Sequence, residues 1–380
     1  GISGGLSPAA HAEGSKELTS NGGNRAFLLY HSGTARDTIG SIALRTKIKV
    51  YVNAGETINL GSSANGIGSG RINYRSPTGA AGSCLTSVGR ILNRTQEVAG
   101  PAPNTNGYTP CIITTAQTTT AGSGIWEIDF VSPNPAVDNN PTAIAAGGNW
   151  TQANNVGWVA AWDVTVRDST NTGSAFSGRV YSNSLALRMP NTGNDFAPLL
   201  YVQTADGYRY QLNPRRLSPF TFVFFANNNG FKSSTTNAPL FRSVLFPGGT
   251  GLESGVTVHD PNTADSGINV THKIFFNTPS SDLPFSAPSA SGSTWLLTSP
   301  VAPQPSNFTF QGVEGTAGTA GTSPLTGNFS FTSNVTGRFL ITLDLNQNGI
   351  YGDGNDKVLS GFATPGTNTL PWDGRDGAGA

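Results

Sequence analysis

Through much of this chain, apolar and polar residues alternate with a period of two. In TKIKVYVN, Ile48, Val50 and Val52 share one face, and Ile58 and Leu60 continue the pattern after the AGE turn. Trp126, Ile128 and Phe130 share a face of IWEIDFV, as do Trp162, Val164 and Val166 in AWDVTVRD. Alternation of this kind predicts half-buried strands with their polar partners outward. Gly, Asn and Pro turns between the strands predict an antiparallel β-sandwich over residues 36–172.

The pattern also divides the remainder. Residues 1–35 open small and polar and become apolar at RAFLLYH (Arg25 to His31), which predicts a flexible leader feeding a first strand. A second β domain is expected over 173–300, after the turn-rich DSTNTGS. It contains LLYVQTADGYRYQLN, where Asp206-Gly207 offers the two φ > 0 positions of a tight primed hairpin turn. PFTFVFFANNNGF is too apolar for an exposed strand, so Phe220, Phe222 and Phe224 are expected to pack inward. TSPVAPQPS, Thr298 to Ser306, reads as a stiff linker to a last block, 301–380. The predicted fold class is all-β, a tandem series of antiparallel sandwich modules.

Composition narrows the function classes. Charged residues make up 12% of the 380 residues, against about a quarter in ordinary globular chains, and Gly 48 and Pro 24 are high. Lys+Arg 22 balances Asp+Glu 22, so no basic stretch exists to grip a phosphate backbone and nucleic acid is not an expected partner. No apolar run reaches the 18 or so residues of a membrane helix. The chain opens at Gly1 with no basic or apolar signal region, so an export signal is expected to have been removed already. Cys84 and Cys111 flank a Gly/Pro/Asn-rich loop, and the charge-poor, hydroxyl-rich composition looks secreted, so a disulfide is expected over two free thiols. Six N-x-S/T sequons begin at Asn93, Asn149, Asn269, Asn307, Asn328 and Asn334, a number that so Asn- and Thr-rich a chain can also produce by chance.

The most device-like stretch runs from Asp344 to Asp376. Asp344, Asn346 and Asn348 occupy alternate positions, Gly349 follows at once, and Asp353 and Asp356 supply two more carboxylates. Calcium takes six to eight oxygens, and a loop delivers them from such positions when a glycine permits the sharp turn. Asn355 stands where an EF-hand has its closing Glu, and the flanks RFLITL and DKVLSGF alternate like strands. The expectation is a strand-loop-strand calcium site closed by Asp356; the same residues also suit an ion-free Asx-rich turn.

The tail LPWDGRDGAG (Leu370 to Gly379) then carries Trp372, Asp373, Gly374 and Asp376. It resembles the Trp-Asp-Gly-Arg-Asp signature of the Ig-like modules first described in flagellar-hook capping proteins. Those modules recur in large secreted bacterial proteins, including surface proteins of gliding Bacteroidetes. The resemblance covers about the last 45 residues. It implies that the last module is Ig-like, that Trp372 packs on the sandwich and that Asp373 to Asp376 form a turn before a final strand. In the family a Gly-x-Tyr strand follows, and this sequence reaches Ala380 before one. Either a longer protein or another chain is expected to supply it.

Other chemistry is weaker. GISGG at the start spells G-x-S-x-G without the strand and helix a nucleophile elbow needs, and GIGSG (Gly66 to Gly70) lacks a βαβ setting. His11, His31, His259 and His272 show no zinc spacing. A spatially paired pair of glycosidase carboxylates is not legible in sequence. Tyr201, Tyr208 and Tyr210 flank the Asp206-Gly207 hairpin and could stack on sugar rings or simply pack across strands. The resulting expectation is a non-enzymatic structural or adhesive protein of the bacterial cell surface, part of a fibre or a large adhesin. Its partners would be copies of itself, neighbouring modules or surface glycans. A sharper form has LTSNGGNRAFLLYH (residues 18 to 31) donate a strand to the next subunit. The alternative is a carbohydrate-binding or accessory region of a secreted hydrolase.

Overall fold

The computed structural model describes residues 13–32, 38–40, 42–190, 195–247, 251–313 and 326–380. The GISGG run, His11 and the rest of the first twelve residues lie outside the described residues. The chain is all-β as expected, with two short α-helices among the described residues, Arg94–Ala99 and Thr115–Ala121. Both helices begin where the sequence provides a cap. Asn93 accepts from the Gln96 N–H, and Thr114 and Gln117 form a capping box.

The chain divides into two compact units, one ending at Ser299 and the other running from Pro300 to Ala380. That division falls inside TSPVAPQPS. The expected boundary between 172 and 173, by contrast, runs through a single sheet, because Val180–Ser182 pairs with Ile48–Val52. DSTNTGS reverses the chain without ending a domain. Its Asn171 Oδ1 accepts from Thr57 Oγ1 (2.9 Å) and Asn59 Nδ2 (2.7 Å), which lie in the Thr57–Ser62 strand.

An eight-stranded antiparallel sheet organises the first unit. Its order is Arg209–Leu212, Leu200–Gln203, Lys273–Phe275, Val180–Ser182, Ile48–Val52, Gly124–Val131, Arg71–Arg75 and Ala81–Ser83. One four-stranded sheet comprises Glu13–Gly14, Trp162–Arg167, Thr57–Ser62 and Cys111–Ile113; another comprises Trp158–Val159, Phe27–Leu29, Leu185–Arg188 and Thr221–Phe224. The alternating residues read from sequence meet in one buried cluster, in a sandwich-like arrangement. Ile48, Val50, Val52, Trp126, Ile128 and Phe130 of the large sheet touch Ile58, Leu60, Trp162, Val164 and Val166 of the first small sheet. Each such aliphatic or Phe side chain contributes about 1.5–3 kcal/mol relative to exposure.

Cys84 and Cys111 are bonded, with Cα atoms 5.8 Å apart. Cys84 follows the Ala81–Ser83 edge strand, and Cys111 opens the Cys111–Ile113 strand of the small sheet. The bridge therefore ties two layers together. By chain entropy, closing a loop of 27 residues stabilises the fold by about 3.5 kcal/mol.

Four expectations change. The first concerns residues 18–31, expected in one form as a strand for the next subunit: the strand that RAFLLYH predicts forms, but within its own core. Phe27–Leu29 is hydrogen-bonded between Trp158–Val159 and Leu185–Arg188, and all three of its residues are buried. Next, the polar partners on Trp162–Arg167 do not face water. Asp163, Thr165 and Arg167 are buried because the 101–108 segment covers them: Tyr108 Oη donates to Asp163 Oδ2 (2.6 Å), and Arg167 donates to the Pro101 and Ala102 carbonyls. The Asp206-Gly207 turn also differs, since only Gly207 has a positive φ, 94°. The Gly207 N–H bonds the Thr204 carbonyl and the Thr204 N–H bonds the Tyr208 carbonyl, which makes a three-residue loop with a glycine bulge in place of a primed two-residue turn. Finally, Phe220 is exposed while Phe222 and Phe224 pack on the core. Among the described residues Thr221–Phe224 is an edge strand, paired with Leu185–Arg188 alone, and Phe220 just precedes it.

The second unit has a three-stranded sheet, Ser306–Gly312, Gly327–Ser333 and Gly366–Trp372, and a two-stranded one, Gly337–Leu343 with Lys357–Ala363. Phe329, Phe331, Ile341 and Ala363 form its small core.

Candidate binding sites

The loop between Gly337–Leu343 and Lys357–Ala363 holds the five residues expected to bind calcium. Four of them are linked side chain to side chain or through one shared N–H. Asn346 and Asn348 each donate an amide N–H to Asp353, at 3.1 and 2.9 Å. Asp344 and Asn346 both accept from the Asn348 backbone N–H, at 3.2 and 3.0 Å. Asp344 also takes the Gly349 N–H at 2.8 Å. Asp356 stands apart from these four. It is buried and accepts from the Leu345 and Gly352 N–H groups (2.9 and 3.0 Å), so it clamps the base of the loop.

Among the described residues no group of three or more His, Cys, Asp or Glu side chains gathers as a metal-holding cluster. The donor set nevertheless fits calcium in kind. Asp344, Asn346, Asn348 and Asp353 are oxygen-bearing and mutually adjacent, the two asparagines exposed and the two aspartates half-buried, and they lie in a loop whose turn glycine, Gly349, has φ 80°. Asp356 is already committed to two backbone donors and fits better as the loop's anchor than as its closing ligand.

The tail from Trp372 to Gly377 lies against this loop. Trp372 packs on Phe310 and Phe329, with ring centroids 5.9 and 6.2 Å away, and its Nε1–H donates to the Arg375 carbonyl at 2.9 Å. Asp373 accepts from the Arg375 N–H, Gly374 turns the chain at φ 79°, and Asp376 accepts from the Ala378 and Ala380 N–H groups. The Gly377 N–H then bonds the Asn355 carbonyl at 2.8 Å. A Cβ on Gly377 would lie 2.3 Å from the Asp356 carbonyl oxygen, so only glycine permits this approach. The two halves of the stretch from Asp344 to Asp376 are thus one packed unit.

The three tyrosines do not form a common platform. Tyr201 is opposite Gln211 in the ladder and Tyr210 opposite Val202, so alternate pleating puts Tyr201 and Tyr210 on opposite faces. Tyr201 packs against the cluster of Tyr181, Phe275 and Leu296, while Tyr208 and Tyr210 are exposed. Five of the six sequon amides are engaged internally: Asn93 caps a helix, Asn149 accepts from the Arg94 N–H, Asn269 accepts from Lys232 Nζ, Asn307 donates to Thr332 Oγ1, and Asn334 bridges the Gln304 N–H and the Ala302 carbonyl.

A site that sequence reading missed lies on the outer face of the eight-stranded sheet, where the hairpin Ser286–Ser289/Gly292–Trp295 and the 262–265 loop wall a cleft of about 420 Å³. Ladder register sets its floor. Glu127 lies opposite Arg75 on one side and Lys49 on the other, and Lys49 lies opposite Tyr181. Lys47 Nζ reaches Glu127 (3.3 Å) and Asp129 (3.5 Å). Trp295 Nε1–H donates to Asp265 Oδ2 at 3.0 Å. Lys273 is buried beneath this wall, its Nζ 4.1 Å from the Trp295 ring centroid and 3.2 Å from Thr294 Oγ1. Burial, then the charge of Lys49, lowers the Lys273 ammonium to about 7; burial likewise lowers Lys49. Spatial convergence of residues 45–49, 75, 127, 182–184, 262–265 and 289–295 left no local signal to read.

No protein-family model, no curated protein and no solved structure matches the chain. No helix among the described residues is long and apolar enough to cross a membrane.

Proposed function

We propose that this protein is a non-enzymatic structural and adhesive component of a bacterial cell-surface assembly. The observation that carries this reading is the two-stranded layer of the second unit. Its inner face packs on the three-stranded sheet, yet its outer face presents Phe362 (78% exposed), Leu340 (61%) and Val358 (51%). Their registers, Arg338 with Phe362, Leu340 with Ser360 and Thr342 with Val358, put them on one side. A monomeric sheet does not ordinarily leave such a stripe uncovered, and a ribbon with unpaired outer edges invites a further strand. A neighbouring module or subunit would supply that cover. The bridge between Cys84 and Cys111 suits an extracellular setting.

In this reading, calcium held by Asp344, Asn346, Asn348 and Asp353 would cross-link the loop and stiffen the layer. The donor of an intermolecular strand is not the 18–31 segment, because that segment is part of its own core. Sedimentation velocity over a wide concentration series tests the reading. The full chain should self-associate, and a Leu340→Ser/Phe362→Ser variant should not. A chain monomeric throughout and indifferent to these changes would sink it. The second reading, carbohydrate binding, is favoured by the basic, hydroxyl-rich cleft of the first unit.

A further inference from the structure

The cleft on the eight-stranded sheet carries a charge arrangement that the fold alone leaves unbalanced. Lys49 sits close enough to Lys273 to depress it, burial lowers both ammonium groups, and neither forms an ion pair among the described residues. Around the mouth stand Arg45, Lys47 and Arg75, so that with Lys49 and Lys273 the cations outnumber the acids facing them, Glu127, Asp129 and Asp265. Glu127 is paired with Lys47, and Asp265 accepts from Trp295 Nε1–H and the Thr271 N–H. Nearby, the Tyr181 hydroxyl is fully buried with no hydrogen-bond partner among the described residues, and Lys273 Nζ lies 5.4 Å from its ring centroid. Buried cations in excess of their counter-charge are costly to a fold and recur where a ligand supplies the missing anion.

The walls narrow the ligand class. Serine, threonine and asparagine side chains make up much of the lining, with Trp295 as its aromatic member. Such a surface offers many hydrogen bonds and no apolar pocket for a peptide side chain, and it suits the hydroxyls of a sugar. A second groove shares Lys47, Arg75 and Glu127 and continues across the sheet past Arg71 and Asn73, which makes room for more than one residue of a chain.

We propose that this cleft binds an acidic carbohydrate, a sugar bearing a carboxylate or sulfate, with Lys49 receiving the anionic group and Arg75 and Lys47 extending the contact along the sheet. This deepens the adhesive reading by naming a ligand, and it has a separate test. The adhesive layer is read by self-association of the second unit; the cleft is read by a soluble oligosaccharide and lies wholly in the first.

The experiment is calorimetric titration of the full chain with oligogalacturonate, a sulfated galactan oligosaccharide, the neutral galactan oligosaccharide and an oligoglutamate of matching charge. Saturable binding of one or both acidic sugars is expected, and which of the two binds distinguishes carboxylate from sulfate. Lys49→Gln should weaken it by about tenfold or more, the loss of one charge-assisted contact. Arg75→Gln, at an exposed position where folding is not at stake, should weaken it several-fold, and Tyr208→Ala should leave it unchanged. An anion beside Lys49 and Lys273 should also draw a proton onto the depressed amine. Near pH 7 the binding heat of the unmodified chain should therefore vary with the ionisation enthalpy of the buffer. Failure of both acidic sugars to bind would overturn the proposal. So would equal binding of the neutral oligosaccharide, oligoglutamate binding as tightly as the sugars, or unchanged affinity in both Lys49→Gln and Arg75→Gln.

Discussion

The carboxylate of Glu97 holds the N-terminal segment into the first unit, and its removal should be the most damaging single polar change in the protein. Arg25 meets Glu97 through both guanidinium nitrogens, at 2.8 and 2.7 Å, and both residues are buried. Ser15 Oγ (2.5 Å) and Arg94 Nη1 (2.6 Å) also donate to the carboxylate, and Arg25 lies 4.4 Å from the Trp150 ring centroid. Burial pushes the Glu97 carboxyl up, but the hydrogen bonds and charge of Arg25, with Arg94 and Ser15, outweigh it and leave it below its ordinary value. Glu97→Gln removes the counter-charge of a buried guanidinium and leaves one acceptor oxygen where there were two, which should cost about 3–5 kcal/mol. In a unit of this size that is a fall in melting temperature of roughly 6–15 °C. Arg94→Ala leaves the buried pair intact and should cost only about 1 kcal/mol. Replacing both partners with apolar residues, Arg25→Met with Glu97→Leu, should recover much of the single-variant loss. Denaturant unfolding followed by tryptophan fluorescence measures all three. A Glu97→Gln variant within about 1 kcal/mol of the parent, or one no worse than Arg94→Ala, would refute the claim that this pair fastens the segment.

The pH dependence follows from Glu13, Glu17 and Asp163, which burial raises to about 7, 8 and 6. Their native forms hold protons more tightly than the unfolded chain, so their stabilisation is full below the ordinary carboxylate range and is lost as pH rises toward 6–8. Glu97 acts in the opposite sense, losing stabilisation as pH falls through its depressed value. Melting temperature should therefore decline between about pH 5 and 8, and Glu13→Gln, which can still accept the Arg179 and Val180 N–H groups, should flatten the decline; an unaltered slope would contradict the assignment. Alkylation and intact mass should detect no free thiol before reduction, and reduction should destabilise the first unit by about 3.5 kcal/mol. Chelation should lower the melting of the second unit, and Asp353→Asn should abolish that response; identical curves with and without chelator would remove calcium from the reading.

Where a strand has one buried and one open face, period-two alternation located it, as at Ile48–Val52 and Gly124–Val131. The pattern failed at Trp162–Arg167, because two-sided burial there depends on the distant 101–108 segment. It failed again at residue 172, where a turn-rich segment looks the same whether the next strand joins the old sheet or begins a new one. The disulfide was legible from its setting, and the loop from Asp344 to Asp356 from its spacing. The cleft was not legible, since Lys49, Glu127, Lys273 and Trp295 are brought together only by the ladder order of the large sheet.

The exposed stripe of the second unit can be weighed against the cost of association. Covering Phe362, Leu340 and Val358 would contribute roughly 5 kcal/mol at about 1.5–3 kcal/mol per side chain, discounted for partial exposure. Loss of translational and rotational freedom costs about 4 kcal/mol at the least. The apolar face alone therefore supports only weak pairing between separate chains. Two things can strengthen it: main-chain hydrogen bonds from a strand added to the free edge of Gly337–Leu343 or Lys357–Ala363, or a covalent tether to the neighbouring module. A tether raises the effective concentration to the millimolar range without any new contact. An array of linked modules thus needs only this face, whereas a fibre of separate subunits needs the edge as well.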